Sequence, residues 1–247
     1  MNAAPDDQLR LLDLQALDSA LDRLAHRRRT LPELAAVDEL QARVDRLADD
    51  VVLLQTEDAD LGREQSKVDA DVDVVRSRMQ RDQQRLDAGQ VSSPRELENL
   101  QSEIASLHRR QGDLEDAELE IMEKREVVQR RLGEIVAERE RVALELAETE
   151  QRRDATFAEI DAEVEKTTQQ RAELAAGIPA DLLALYEKVR SSSAGVGAAA
   201  LHRGRCEGCH LQLNTTDLNR LRDAPADEIV RCEECRRILV RTAESGL

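Results

Sequence analysis

Aromatic side chains are almost missing. The 247 residues include no Trp, one Tyr (Tyr186) and one Phe (Phe157). Rings carry much of the buried area of ordinary cores, so a conventional globule of this length is excluded. No apolar run reaches the roughly 18 residues of a membrane-spanning helix. The N-terminus lacks a basic stretch followed by an apolar one, so no secretory leader is expected and the protein is placed in the cytosol. Cysteine is absent from the first 205 residues, which argues against the disulfide framework of a secreted domain. No phosphate-binding loop, nucleophile–base pattern or pair of catalytic carboxylates stands out, and enzyme activity is not expected.

Charge is what the chain has in abundance. Asp, Glu, Lys and Arg make up 36% of it, with a net charge of −16. Together with abundant Ala, Leu and Gln this is the composition of long helices. Residues 177–247 hold ten acidic and ten basic side chains, so the whole excess lies in residues 1–176. That part should repel a phosphate backbone; a solvated coiled-coil surface accounts for its charge.

The helical pattern is organised around a break between Leu86 and Leu97. Gly89 stops one helix. Ser93, Pro94 and Glu96 supply an N-cap, a first helical position and a capping box for the next. Apolar residues step back by threes and fours from Leu86 through Met79, Val72 and Leu54 to Leu40. The same rhythm runs forward from Leu97 through Ile104, Ile121 and Val128 to Val142. This is the period of a left-handed coiled coil. Pairing Leu86 with Leu97 makes every later layer sum to 182 or 183, so Asp58 should meet Arg125 and Gln65 should meet Glu118. An earlier stripe of Leu14, Leu17, Leu21, Leu24 and Leu31 is out of phase, and a restart is expected at Pro32. His26 with Arg27, Arg28 and Arg29 forms a basic cluster, read as a solvated helical turn.

The fold expected is mostly α. An antiparallel coiled-coil hairpin spans 1–176 with its tip at about 87–94. A short docking helix and linker follow at 177–194, then a small domain at 195–247. In that last part, strands are expected at 196–201, 228–231 and 237–240, with a helix capped by Thr215 or Thr216.

All four cysteines lie there, as Cys206-Glu207-Gly208-Cys209 and Cys232-Glu233-Glu234-Cys235. Two C-x-x-C pairs at this separation indicate a tetrahedral zinc ribbon with one structural Zn²⁺. Gly208 is expected to permit the first turn, and Arg236 or Arg237 to offset thiolate charge. His202 and His210 are nearby but are expected to be bystanders, since four thiolates already close the site.

The stretch from Ser92 to Ile104, Tyr186, Cys206-x-x-Cys209 and Cys232-Glu233-Glu234-Cys235-Arg236-Arg237-Ile238-Leu239 resembles a bacterial family. Its members join a coiled-coil hairpin to a four-cysteine zinc ribbon. One branch includes a flagellar regulator that chaperones sigma-54 and binds flagellin messenger RNA; another meets type III secretion components. The resemblance implies a regulator or adaptor that binds a protein partner.

Two other roles compete with that one. Arg203, Arg205, Arg231, Arg236, Arg237 and Arg241 gather around the cysteines and could contact the phosphates of RNA or DNA. The coiled-coil tip could enter RNA polymerase as a transcription factor. No membrane partner is expected, and the chain is expected to be a monomer, with a dimer as the alternative.

Overall fold

The computed structural model describes all residues, 1–247. Five helices and four short strands follow in the order α1 (Pro5–Arg29), α2 (Pro32–Asp87), α3 (Pro94–Ala176), α4 (Ala180–Ser192), β1 (Ala198–His202), β2 (Arg205–Cys206), α5 (Thr215–Asp223), β3 (Val230–Arg231) and β4 (Ile238–Val240). Contacts divide the chain into two compact units, Ala35–Glu150 and Met1–Leu34 with Gln151–Leu247.

Unit Ala35–Glu150 is a coiled-coil hairpin of α2 and α3. Its seam is the one read from the sequence: every predicted position except Leu97 is buried or half-buried. Leu97 is 38% exposed beside the tip. The register places Arg125 Nε 3.0 Å from Asp58 Oδ1. Gln65 accepts from Arg125 Nη1 at 3.3 Å, while Glu118 shares a hydrogen bond with Asp69, so the expected Gln65–Glu118 meeting is replaced by these partners. At the tip, Gly89 takes the left-handed conformation with φ 66°. Ser93 Oγ accepts from the Glu96 N–H at 3.2 Å. The returning bond goes one residue further out than in a capping box, from the Ser92 N–H to Glu96 Oε2 at 3.1 Å.

The other unit is built around α1, the lower part of α3, α4 and the strands. Helix α1 stops where expected: the Thr30 N–H and hydroxyl both donate to the His26 carbonyl, and α2 restarts at Pro32. Arg28 of the basic cluster is not free. It lies 4.3 Å from the centre of the Phe157 ring and pairs with Asp161.

The buried face of α1 departs from the leucine stripe. It comprises Gln8, Leu11, Leu14, Gln15 and Asp18. Asp18 is 1% exposed and accepts from Arg171 Nε at 2.6 Å and from the Tyr186 hydroxyl at 2.6 Å. Arg190 Nε lies 3.3 Å from the same carboxylate. Gln15 Oε1 accepts from the Gly197 N–H at 2.7 Å, and its amide donates to the Gly195 carbonyl at 3.0 Å. One turn of α1 thus ties α3, α4 and the entry to β1. Burial, followed by the bond to Asp18, drives the Tyr186 pKa well above the usual phenol range.

The strands form one sheet ordered β2-β1-β4-β3, with β1 and β4 parallel. Strand alternation sends Ala198, Ile238 and Val240 towards Leu11, Leu14, Leu182 and Tyr186. Ala199, Leu201 and Leu239 face the opposite way, towards Leu213, Leu221, Cys206 and Cys232. The sheet is a partition between two small cores. Gly197 is required at its edge, since a Cβ there would lie 2.8 Å from the Tyr186 ring. Residues 1–3 extend the same layer: Asn2 bridges Glu228, the Ala3 N–H donates to the Asp227 carbonyl, and Ile229 donates to that of Met1.

Asp18→Ala should lower stability by about 3–5 kcal/mol, because it leaves Arg171 and Arg190 without their buried counter-ion. Tyr186→Phe should cost about 1–2 kcal/mol. Denaturant melts check both; equal stability of Asp18→Ala and the parent would refute the role of the carboxylate. In the hairpin, the bond to Asp69 and then burial raise the Glu118 pKa. The protonated folded form is therefore favoured, and its stabilising contribution is present below the ordinary glutamate range and lost as pH rises through the raised value. Glu118→Gln should raise the melting temperature at pH 7 and lose that advantage when pH falls below the ordinary range. A gain that persisted in acid would contradict this sign.

Candidate metal centre

The two cysteine pairs sit on two turns of the same construction. In the first, Cys206 ends β2, and the His210 N–H donates back to the Cys206 carbonyl at 2.8 Å. In the second, Cys232 follows β3, and the Arg236 N–H donates to the Cys232 carbonyl at 2.9 Å. The residue after each second cysteine takes positive φ, 61° at His210 and 63° at Arg236. Left-handed geometry is therefore carried by His210 and Arg236 and not by Gly208. Gly208 is needed for another reason: a Cβ there would lie 2.8 Å from Arg237 Cδ and 2.9 Å from Ala199 Cβ.

Each turn aims its sulfurs at a common centre, and the four Sγ atoms lie within 4.8 Å of one another. Cys206 and Cys235 are 3.9 Å apart, as are Cys209 and Cys232. With Zn–S bonds of about 2.3 Å, the edge of a tetrahedron is about 3.8 Å, so the donor set fits one Zn²⁺. Cys206 and Cys232 are buried; Cys209 and Cys235 are half-buried. As thiols they differ. Burial pushes Cys206 up to about 12 and moves Cys232 upward. At Cys235 burial is outweighed by hydrogen bonds from the Arg237 backbone and side chain, which bring it down to about 7. A bound dication makes thiolates of all four. Four thiolates complete the tetrahedron and leave no position for water or substrate, so such a centre holds structure and is not built for catalysis. The two histidines stand outside it: His202 Nδ1 faces Glu244 at 3.2 Å, and the His210 ring lies 3.9 Å from Glu207.

The six arginines divide into two groups. Arg241 donates to the carbonyls of Leu221, Ala224, Pro225, Ala226 and Glu228. Arg237 donates to those of Val196 and Ser193. Both act as braces for the loops around the sheet. Arg203, Arg205, Arg231 and Arg236 are exposed. Arg236 pairs with Glu233 at 3.4 Å, and Arg205 lies 3.9 Å from Glu207. Helix α5 beside the centre is capped by Asn214, whose side chain accepts from the Asp217 N–H at 2.8 Å; the expected threonines begin the helix one position later. The cluster that ties this region to α1, namely Gln15, Asp18, Arg171 and Arg190, has no motif in the sequence. Its one sequence signal is that Gln8, Leu11, Gln15 and Asp18 keep a three–four spacing.

Residues 14–194 match the CT398-like coiled coil hairpin domain, and residues 205–239 match the C4-type zinc ribbon domain. An uncharacterized protein of Mycobacterium tuberculosis is 36% identical over 241 residues, 98% of each chain. A solved structure from Mycobacterium smegmatis superposes with TM-score 0.86 at 33% identity, covering 98% of this chain and all of that one. CT398 of Chlamydia trachomatis has the same fold at 19% identity, with TM-score 0.71 over 96% of this chain and 98% of its own.

Metal analysis should find one zinc per chain. Binding should release protons and weaken as pH falls, because thiols must ionise to ligate. Chelation should make the four thiols reactive yet leave most helical signal, since unit Ala35–Glu150 contains neither a cysteine nor a strand. Zinc retained at full occupancy by the variant Cys206→Ser with Cys232→Ser would refute the assignment.

Proposed function

The chain belongs to the family of CT398-like coiled-coil hairpin proteins with a C4-type zinc ribbon, and from that premise we propose that it is a non-catalytic adaptor that binds a protein partner. The matched domains are of coiled-coil and zinc-ribbon kinds, not enzyme kinds. A closed four-thiolate site serves to hold a small fold whose apolar core is too limited to stand alone.

One observation carries the preference for a protein partner over nucleic acid. Arg237 and Arg241 direct their guanidinium groups at the chain's own carbonyls, and Arg236 faces Glu233. Four thiolates around one dication add two negative charges to a segment otherwise neutral. Little positive potential remains to draw a phosphate backbone, and no aromatic ring follows Tyr186 for base stacking. Nucleic-acid binding by the ribbon is the second reading, favoured only by the exposure of Arg203, Arg205 and Arg231. Entry into RNA polymerase draws nothing from the tip, whose groove is lined by residues such as Leu86, Val91, Pro94 and Leu97 and by no carboxylate.

Capture of partners by the tagged full-length chain should survive nuclease treatment and be unchanged by Arg203→Ala with Arg231→Ala. Gel shifts at about 0.15 M salt should show no retained RNA or DNA. Capture that vanishes with nuclease, or a salt-sensitive shift removed by those two substitutions, would establish the second reading instead.

A further inference from the structure

The excess charge of the hairpin is not spread evenly. Residues 35–150 hold thirty acidic and seventeen basic side chains, a net −13. The register of the Asp58–Arg125 layer sets residues 57–73 of α2 against residues 110–126 of α3. Those two windows alone carry fourteen acidic and five basic side chains, a net −9. Crowding is visible inside them, where Glu118 and Asp69 share a hydrogen bond although both are carboxylates.

The same windows expose apolar surface. Leu119 is 57% and Met122 45% exposed, three positions apart on α3. They line a groove of about 450 Å³ with Gln65, Arg125, Glu126 and Gln129. Arg125 does not neutralise its rim. Its guanidinium packs over Gly62 and is held by Asp58 and Gln65. Glu123 and Glu126 line the same groove without an ion pair, so it presents apolar and acidic side chains side by side.

We propose that this groove docks a basic amphipathic helix of a partner protein, its apolar stripe on Leu119 and Met122 and its Lys or Arg side chains against the surrounding carboxylates. The inference rests on the adaptor reading and names the surface and chemistry that reading requires. A neighbouring helix laid along a coiled coil is an established mode of recognition by groove and stripe. Met122 is unbranched and adapts to different apolar partners. A second copy of the chain is a poor occupant, since it would bring one net −13 unit against another. Nucleic acid is repelled for the same reason.

The test uses full-length zinc-loaded protein and a fluorescent synthetic Leu/Lys amphipathic helix of about 18 residues. Controls are the same residues scrambled to remove the stripe, and a Leu/Glu version. Binding followed by anisotropy is expected for the Leu/Lys helix alone and should weaken in about 0.5 M salt. Leu119→Ser with Met122→Ser, and separately Glu123→Gln with Glu126→Gln, should each weaken it about tenfold. Val52→Ser with Leu53→Ser, at exposed residues outside the groove, should leave it unchanged. The substituted groove residues are largely exposed, and circular dichroism melts should match the parent. Equal binding of the scrambled peptide, unchanged affinity in both groove variants, or self-association lost with the Ser variant would overturn the proposal. Wild-type capture of a protein partner by Leu119→Ser with Met122→Ser would sink the groove while sparing the adaptor reading; absence of capture by the parent would sink the adaptor reading itself.

Discussion

A buried carboxylate with two guanidinium groups and a phenol around it is the constraint on which the rest of the molecule depends. Asp18 brings α1 against Arg171 of α3 and against Tyr186 and Arg190 of α4. Removing a charge from water is unfavourable unless its partners are in place. The geometry of three helices is therefore set by one side chain. Gln15, one turn earlier, extends the same logic to the backbone, occupying the N–H of Gly197 where β1 begins. Glycine at that position lets the strand pass against the Tyr186 ring.

The sheet then carries two duties at once. Its three core residues on one side complete the apolar cluster around Leu11 and Tyr186, and those on the other complete the cluster around the cysteines. Each cluster is small. The zinc ligands supply to one what the Asp18 network supplies to the other, a fixed polar nucleus where apolar area is scarce. The long α2–α3 pair needs neither, because a heptad seam is repeated over many layers.

Periodicity was legible wherever one residue type repeats. The seam from Leu40 to Leu86, its partner from Leu97 to Val142 and the Asp58–Arg125 layer follow from counting alone, since the tip leaves no freedom of register. The cysteines were legible because ligand spacing is set by tight turns. What was not legible is instructive. The leucines of α1 drew attention to Leu17, Leu21 and Leu24, yet Gln8, Gln15 and Asp18 are more deeply buried. Polar residues read as solvent-facing until distant partners are known, and those partners lie more than 150 positions away. The arginines near the cysteines looked alike in sequence. Only the loops around them reveal that Arg237 and Arg241 brace carbonyls, while Arg203 and Arg231 are exposed.

The first helix and the last strand belong to one unit. Ribosomes release chains from the N-terminus at about 5–20 residues per second. The α2–α3 pair can zip from its turn as soon as both arms emerge, because its contacts grow outward from neighbouring residues. Helix α1 has no such option. Asp18 lacks Arg171 and Tyr186 until about three-quarters of the chain has been made, and Leu14 lacks Ile238 and Val240 until nearly all of it has. The first element synthesised is thus among the last to reach its native surroundings, and a nascent chain halted before α4 would hold an ordered hairpin with its opening helix still unplaced.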